Sequence, residues 1–472
     1  MYNIVSSKAD EFISHEEICS SLEYAEQNKH NVTLINSILE KAKLYRGLSH
    51  REALVLLDCD IPEINEGILA LARDIKQRIY GNRIVMFAPL YLSNYCVNGC
   101  SYCPYHLKNK HIRRKKLTRD EIVAEVVALQ NMGHKRLAIE TGEHPVENPI
   151  EYVLDSIDTI YSVKHKNGSI RRVNVNIAAT TVDNYRKLKA AGIGTYVLFQ
   201  ETYNKEAYEE LHPSGPKSDY AYHTEAMDRA MEGGIDDVGC GVLFGLSNYR
   251  YDFVGLLMHA EHLEAARGCG PHTISVPRIR DADDINAELF SNAISDYIFE
   301  KIVATIRIAV PYTGIIISTR ESQIARERVL KVGVSQISGG SRTSVGGYVQ
   351  EEKVEDNSSQ FDVVDRRPLD QVVNWLIGLG YIPSFCTACY REGRTGDRFM
   401  SLAKTGKISN CCQPNALLTL QEYLEDYASS ETKLCGEKLI LEELRKIPDE
   451  KIREKTVERL RLIQQNIRDF RF

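Results

Sequence analysis

The chain has 472 residues, of which 43% are hydrophobic and 26% are charged, the balance of a soluble globular protein. Its formal net charge of -6 gives no reason to expect a nucleic-acid partner or an anionic membrane surface. No apolar run approaches the ~20 residues of a transmembrane helix, and the N-terminus lacks the basic and apolar regions of a secretion signal. We therefore expect a cytoplasmic protein without membrane or nucleic-acid partners.

Residues 1–80 show apolar residues at spacings of three and four, a pattern that predicts amphipathic helices. Three helices are predicted, over residues 16–27, 33–44 and 49–57. The third begins with a capping box, in which Ser49 and Glu52 satisfy free backbone N–H groups. We interpret residues 1–80 as an N-terminal helical segment.

From residue 83 onward, short β-branched runs alternate with amphipathic stretches. Eight strands are predicted, at residues 83–90, 136–140, 173–178, 195–200, 237–244, 273–278, 314–318 and 333–337. Their number and spacing predict an α/β fold, a parallel (β/α)8 TIM barrel over residues 81–349. In such a barrel, functional side chains lie at the carboxyl ends of the strands. A second capping box, of Thr118 and Glu121, begins the first barrel helix, and Gly133 ends it.

The remainder, residues 350–472, is assigned to a C-terminal helical domain that binds a cluster. Its polar and acidic beginning, residues 350–367, predicts an exposed connection. A helix is predicted over residues 369–379, and amphipathic helices interrupted at Pro448 follow the second group of cysteines.

The loop after the first strand contains Cys96, Cys100 and Cys103. Three thiolates at this C-x3-C-x2-C spacing can hold three irons of a [4Fe-4S] cluster and leave the fourth iron open to a ligand. A zinc knuckle is the alternative, since His106 and His111 lie close by in the sequence. Zinc sites usually have a fourth ligand in a paired spacing, so the cluster is favoured.

A second group consists of Cys386, Cys389 and, 22 residues later, Cys412. A second metal cluster is the favoured interpretation, and a zinc site completed by a histidine is the alternative. A thioredoxin-type redox pair is disfavoured, because no thioredoxin-like βαβ unit surrounds the motif. The sequence leaves open whether the adjacent Cys411 can replace Cys412. Seven of the twelve cysteines, Cys411 included, fall in these two groups, which predicts bound metal in a reducing compartment.

The C-x3-C-x2-C spacing is the signature of radical S-adenosylmethionine (SAM) enzymes, and the chain resembles their aromatic-amino-acid lyase branch along almost its whole length. The resemblance implies that Tyr102 lies near the adenine of SAM. It also implies that Thr141, Gly142 and Glu143 contact the methionine part of SAM, and that Glu201 belongs to the polar residues around SAM. For Glu201 the alternative is a carboxylate that caps a helix.

The resemblance also implies a tyrosine-binding site at the ends of strands four and seven. Arg320 is expected to bind the substrate carboxylate through its planar fork, with Ser318 beside it, and Gln200 is a further candidate at the fourth strand. The alternative for Arg320 is a surface ion pair with Glu321.

His272 precedes the sixth strand and should therefore lie at the opposite, amino-terminal end of the barrel. The helix predicted over residues 369–379 should return the chain to that end and bring Cys386 and Cys389 near His272. The resemblance implies that His272 holds a labile iron of an auxiliary cluster. A structural histidine is the alternative.

The activity that the resemblance implies is anaerobic cleavage of the Cα–Cβ bond of L-tyrosine to p-cresol and dehydroglycine. Its cofactors would be a [4Fe-4S] cluster with SAM and an auxiliary [4Fe-4S] cluster with a labile iron, a [5Fe-5S]-like centre. Dehydroglycine would become CO and cyanide in an Fe(CO)2(CN) synthon that contains L-cysteine, used for [FeFe]-hydrogenase maturation. Transient contacts with other maturation proteins and an electron donor would follow. The alternatives are a tyrosine lyase of thiamine synthesis and a non-catalytic iron-sulfur carrier.

Overall fold

The computed structural model describes residues 1–350 and 358–472, and eight parallel strands form a closed barrel at its centre. The strands are β1 Arg83–Ser93, β2 Arg136–Thr141, β3 Arg172–Asn176, β4 Tyr196–Val197, β5 Val238–Gly241, β6 Thr273–Ser275, β7 Gly314–Ile317 and β8 Gln336–Ser338. Each strand pairs with the next one along the chain, and β8 closes on β1, where Gln336 lies opposite Val85. The predicted TIM barrel is confirmed.

Several strands are shorter than the sequence predicted. The fourth predicted strand, residues 195–200, is reduced to β4, and the fifth, residues 237–244, is reduced to β5. The strands carry apolar side chains, as expected of a parallel barrel that is covered on both faces. Val173 and Val175 of β3, for example, are fully buried. Beyond the sheet the chain carries polar residues, and these form the mouth of the barrel.

Five helices precede the barrel: α1 Ala9–Phe12, α2 His15–Asn28, α3 Val32–Ala42, α4 His50–Asp58 and α5 Pro62–Tyr80. Helices α2, α3 and α4 correspond to the three predicted ones. The predicted capping box is formed at α4, where Ser49 and Glu52 bond reciprocally. Helix α5 begins with Pro62. Proline is tolerated there because the first backbone N–H groups of a helix have no acceptor within the helix.

Helices cover the outside of the barrel: α6 Arg119–Met132, α7 Ile150–Ser162, α8 Val182–Ala190, α9 Lys205–Leu211, α10 Tyr220–Thr224, α11 Ala226–Glu232, α12 Tyr249–Arg267, α13 Asp296–Ala309 and α14 Gln323–Val332. The capping box of Thr118 and Glu121 begins α6, as predicted, and Gly133 ends it with a φ of 100°. A small hairpin of Lys164–His165 and Gly168–Ser169 follows α7.

The C-terminal part contains six helices in the described residues: α15 Leu369–Gly378, α16 Ala388–Arg391, α17 Gly396–Lys404, α18 Ser409–Asp426, α19 Ser430–Leu444 and α20 Glu450–Gln464. A ninth strand, β9 Ile382–Ser384, follows α15 and pairs with β1, where Ile382 lies opposite Arg83. Because Arg83 is the first residue of β1, α15 returns the chain to the amino-terminal end of the barrel.

The connection before α15 differs from its prediction. Residues 351–357 lie outside the described part, but Phe361 and Asp365 are only 6% and 5% exposed. Asp365 pairs with the fully buried Arg326, and the Gln360 side chain accepts a hydrogen bond of 2.8 Å from the Tyr91 hydroxyl. The expectation of an exposed segment therefore holds only in part for residues 358–367: Asp362, Val364 and Arg366 are exposed, whereas Ser358, Phe361 and Asp365 are buried. No helix among the described residues is long and apolar enough to cross a bilayer.

Candidate active site and second thiol site

A cavity of about 980 Å³ at the carboxyl ends of the strands, which we call the upper cavity, brings most of the predicted residues together. Its lining includes the first three cysteines, the predicted SAM contacts and the predicted substrate arginine: Cys96, Cys100, Cys103, Tyr102, Thr141, Gly142, Glu143, Glu201 and Arg320.

The three thiols of the upper cavity lie in a loop that bonds to the region after α9. The Ser101 backbone N–H donates to the Leu211 carbonyl oxygen at 3.0 Å. Burial raises the pKa of the Cys100 thiol to about 11 and that of the Cys103 thiol further above its usual value. Bound iron would reverse the preference for the protonated thiol, because a thiol that ligates a metal loses its proton. Three free thiols that line one cavity, of which Cys100 is buried and Cys96 and Cys103 are half-buried, therefore fit a metal cluster.

The spacing of the thiols distinguishes a cluster from a single ion. Within residues 1–350 and 358–472, no three or more His, Cys, Asp or Glu side chains surround one point where an ion could bind. His106 instead faces Asp284, with 3.1 Å between its Nε2 and the carboxylate. In a cubane each thiolate binds a different iron, whereas all zinc ligands contact one ion. The arrangement fits the [4Fe-4S] cluster better than the zinc alternative.

Gly142 lets the turn after β2 pass directly beneath the cysteine loop. A Cβ at this position would overlap the Tyr95 carbonyl oxygen and lie 3.0 Å from the Cβ of Cys96. The adjacent Glu143 is tied to the same loop, since the Asn98 amide donates to its carboxylate at 2.7 Å. Burial raises the pKa of Glu143, and the bond from Asn98 opposes that shift. Glycine is therefore required here by the close approach of two backbone segments.

Glu201 forms an ion pair in the cavity wall. Its φ of 69° lies in the left-handed region, which non-glycine residues rarely adopt. Its carboxylate accepts a hydrogen bond of 2.8 Å from Lys217 Nζ. Burial would lower the pKa of Lys217, but Glu201 and Cys100 raise it above its usual value. The capping alternative for Glu201 is not realised, because Asn204 caps α9. Nothing in the sequence around Lys217 indicated this role.

Tyr102 is held in place by a histidine that the sequence did not indicate. The Tyr102 hydroxyl lies 2.8 Å from His212 Nε2, and His212 Nδ1 lies 2.7 Å from the Tyr208 carbonyl oxygen. Burial lowers the pKa of His212 to about 3, so the ring is neutral at physiological pH. Its Nδ1–H then donates to the carbonyl, and Nε2 accepts the tyrosine proton. The ring of Tyr102 is thereby fixed against the cavity.

Arg320 points into the cavity without a carboxylate partner in the described part of the chain. The expected alternative, a pair with Glu321, is not formed, because Glu321 accepts hydrogen bonds from Arg278 and Arg280. The Arg320 guanidinium instead packs on the Phe361 ring, 3.8 Å from its centroid. A guanidinium whose fork remains free is suited to an incoming carboxylate.

A middle cavity of about 850 Å³ continues from the upper one into the barrel. Ser318 lines it, and the two cavities share Arg320, Glu140 and Gln360. Gln360 comes from the segment that was expected to be exposed, so sequence reasoning missed it.

Gln200 is the predicted site residue that the structure places elsewhere. Its amide donates to the Thr224 hydroxyl at 2.9 Å and lines neither cavity. Neighbouring side chains alternate in direction along an extended segment, and it is Phe199 and Glu201 that face the cavity. The prediction that Gln200 contacts the substrate is therefore corrected.

The second thiol group opens into a third cavity, of about 750 Å³, at the amino-terminal end of the barrel. This lower cavity is lined by His272 and by all three predicted ligand cysteines, Cys386, Cys389 and Cys412. Gln336 lines both the middle and the lower cavity and therefore stands at their junction.

His272 is buried and neutral in this cavity. Its Nε2 lies 2.8 Å from the Tyr390 hydroxyl, and its Nδ1 lies 3.5 Å from an Asp237 carboxylate oxygen. Burial lowers the pKa of His272, which favours the neutral form that binds metals. The chemistry of the site fits an auxiliary cluster with a histidine ligand, and the assignment of these ligands stays a prediction.

Sequence families agree with this geometry. The Radical SAM superfamily matches residues 90–277, and the Biotin and Thiamin Synthesis associated domain matches residues 275–382. The 2-iminoacetate synthase of Salmonella typhimurium is 30% identical over 346 residues, which span 73% of this chain and 89% of that protein.

Two solved structures are similar over nearly the whole chain. A structure of HydG, described as a maturase of the [FeFe]-hydrogenase, is 55% identical, with a TM-score of 0.94 over 98% of this chain and 100% of that one. The FeFe-hydrogenase maturase HydG from Carboxydothermus hydrogenoformans is 40% identical, with a TM-score of 0.83 over 96% of this chain and 99% of that one.

Proposed function

The chain belongs to the HydG family of radical SAM enzymes, and on that premise we propose that it cleaves L-tyrosine and converts the two-carbon fragment to carbon monoxide and cyanide. Membership of the radical SAM superfamily implies a [4Fe-4S] cluster and SAM. The identity of the substrate and the second half of the reaction are our proposal.

The first half takes place in the upper and middle cavities. Cys96, Cys100 and Cys103 would hold a [4Fe-4S] cluster, which together with SAM and an electron donor would supply the 5′-deoxyadenosyl radical. The Arg320 fork binds the carboxylate of tyrosine, with the Ser318 hydroxyl beside it, and this pair orients the amino acid for loss of its side chain as p-cresol. Gln360 and Phe361, which line the middle cavity, would help to exclude water from the reacting centre.

The second half takes place in the lower cavity. We assign Cys386, Cys389 and Cys412 to an auxiliary cluster and His272 to its labile iron. Dehydroglycine from tyrosine would yield CO and cyanide there, and an Fe(CO)2(CN) synthon with L-cysteine would leave for the hydrogenase. Delivery requires transient contact with other maturation proteins, and the radical step requires an electron donor. Twelve cysteines outside any disulfide are consistent with a reducing, oxygen-free cytoplasm.

One observation carries the proposal. Two groups of three thiols lie at opposite ends of a single barrel, and cavities that share residues run between them: Glu140 and Arg320 border the upper and middle cavities, and Gln336 borders the middle and lower ones. On this arrangement we propose that a fragment released near Arg320 reaches the second thiol group inside the protein, past Gln336.

The test is an anaerobic reaction of the reconstituted enzyme with SAM, dithionite, L-tyrosine and L-cysteine. Chromatography should detect p-cresol, a haemoglobin trap should detect CO, and infrared spectroscopy should show iron-bound CO and cyanide. Absence of p-cresol with fully loaded clusters would contradict the assignment of tyrosine as substrate.

The similarity to 2-iminoacetate synthase favours a second candidate, a lyase that releases dehydroglycine as its product. The two candidates share the upper half of the barrel and differ in the lower one. Production of p-cresol without CO, by enzyme that contains both clusters, would favour this alternative. The second thiol group at the lower cavity supports the maturase proposal instead.

A further inference from the structure

Two buried arginines lie side by side at the amino-terminal end of the barrel. Arg136 of β2 and Arg172 of β3 are directly opposite each other in the parallel ladder. They are only 6% and 2% exposed. Like charges at opposed positions of neighbouring strands repel, and burial of each charge adds a desolvation cost. In residues 1–350 and 358–472, neither guanidinium has a carboxylate within ion-pair distance.

The hydrogen bonds of both arginines go to neutral groups. Arg136 donates from Nη2 to the Cys386 carbonyl oxygen at 2.8 Å, and its buried Nε has no partner in the described structure. Arg172 donates to the Asn174 side-chain oxygen at 3.1 Å and to the Thr195 hydroxyl at 3.4 Å. These bonds orient the guanidinium groups, and the Asp237 carboxylate raises the pKa of Arg172 from outside ion-pair distance.

The surroundings of Arg172 are built to hold it. Its guanidinium lies against the Tyr390 ring, and a Cβ at Gly194 would overlap it. Burial and the nearby Arg136 lower the pKa of Arg172 to about 9, with Tyr390 and Asp237 opposing the shift, so it remains charged at neutral pH. Tyr390 lines the lower cavity and separates it from Arg172.

Arg136 lines the lower cavity directly, beside Cys386 and His272. A second arginine of this cavity, Arg83, is used differently, because it donates to the carbonyl oxygens of Ile79 and Tyr80 at the end of α5. Arg83 therefore has a structural role, whereas Arg136 lines the cavity with a guanidinium whose side-chain hydrogen bond in the described structure goes to the Cys386 carbonyl oxygen. An anion with two oxygens matches the planar fork of an arginine.

We infer that Arg136 is the binding residue of a carboxylate subsite in the lower cavity, occupied by the carboxylate of the two-carbon imino acid, and that Arg172 adds a second positive charge from behind Tyr390. The inference rests on the proposed function for the identity of this ligand. The lower cavity would then hold the two-carbon fragment in position as well as supply the metal ligands.

The test uses the holoenzyme with both clusters and glyoxylate, the carbonyl analogue of the imino acid, as the probe. Calorimetry should show glyoxylate binding to the native enzyme that is weakened about tenfold or more in Arg136→Lys, because one prong of a charge-assisted pair is lost. Arg172→Met should also weaken binding. Arg83→Lys is the matched control, a buried arginine of the same cavity, and should leave the affinity within about twofold.

Other measurements separate ligand binding from cluster binding. Iron content, the paramagnetic resonance signal of the auxiliary cluster and the rate of p-cresol formation should match the native enzyme in Arg136→Lys and Arg172→Met. Should either substitution fail to fold, Gly194→Ala displaces Arg172 without removing its charge and should weaken glyoxylate binding as well.

Unchanged glyoxylate affinity in both arginine variants would overturn the inference. Loss of auxiliary iron in both variants would overturn it too, because the arginines would then serve the cluster. A native enzyme that binds glyoxylate at Arg136 but forms no p-cresol would refute the proposed function and keep the carboxylate subsite. The two ideas can therefore fail separately.

Discussion

Replacement of Arg320 by lysine tests the substrate pocket most directly. Arg320 has no carboxylate partner in the described residues, and its guanidinium is held flat against Phe361, 3.8 Å from the ring centroid. Lysine keeps the positive charge but offers a point donor in place of the fork. Arg320→Lys should therefore weaken tyrosine binding and leave SAM binding nearly unchanged.

The magnitude follows from the bond that is lost. A hydrogen bond to a charged group contributes about 1.5–3 kcal/mol, and 1.4 kcal/mol corresponds to about tenfold in affinity. Loss of one of two prongs should raise the dissociation constant for L-tyrosine by about 10- to 100-fold. Arg280→Lys is the matched control: Arg280 also lines the upper cavity, but it is already paired with Glu321.

The assay is anaerobic calorimetry of the reconstituted enzyme with L-tyrosine and, separately, with SAM. Steady-state p-cresol formation should show a raised KM for tyrosine in Arg320→Lys. Equal tyrosine affinities for the native enzyme and Arg320→Lys would refute the carboxylate assignment. A larger effect from Arg280→Lys would move the carboxylate site to Arg280, whose Nε donates to the Arg320 carbonyl oxygen at 3.1 Å.

Cys386→Ser should abolish the resonance signal of the second cluster and CO formation, while p-cresol formation continues, because the lower cavity lies at the other end of the barrel. Gly142→Ala should lower the iron content of the first cluster and p-cresol formation together, since its Cβ would overlap the Tyr95 carbonyl oxygen. Phe385→Ala should cost about 3–5 kcal/mol in denaturant unfolding, because Phe385 is 1% exposed and stacks on a tyrosine. Burial raises the pKa of Glu140 from 4.5 to about 8, so the native state holds this proton more tightly than the unfolded state. Stability should therefore fall as pH rises between those values, and urea unfolding at pH 6 and pH 9 should show a smaller difference in Glu140→Gln.

The barrel could be predicted because its signals are local and repeated. β-branched runs separated by amphipathic helices specify parallel strands, and the caps at Ser49 and Thr118 form from residues three positions apart. The cysteine loop follows a strand end, so its place at the mouth was also predictable. These features depend on near neighbours in the chain.

The residues that were missed depend on distant contacts. Lys217 belongs to the site because it meets Glu201, and His212 belongs to it because it meets Tyr102. Gln360 was misassigned because an acidic stretch predicts solvent exposure, yet a buried hydroxyl on β1 holds it in place. Sequence patterns report a residue's own preference and do not report which partner tertiary packing supplies.

The lower cavity shows how much connectivity alone can establish. A parallel barrel fixes which end each strand begins at, so a residue just before β6 and a strand beside the start of β1 must lie at the same end. That reasoning brought His272 and Cys386 together before any side chain was placed, and both line one cavity. It did not reveal Arg136 and Arg172, because a charged residue that begins a strand is usually exposed. Only the pairing of β2 with β3 shows that the two arginines lie opposite each other. Two buried cations without a carboxylate at ion-pair distance are costly, and the thiolates of the proposed cluster and the proposed carboxylate ligand would both bring negative charge to the lower cavity.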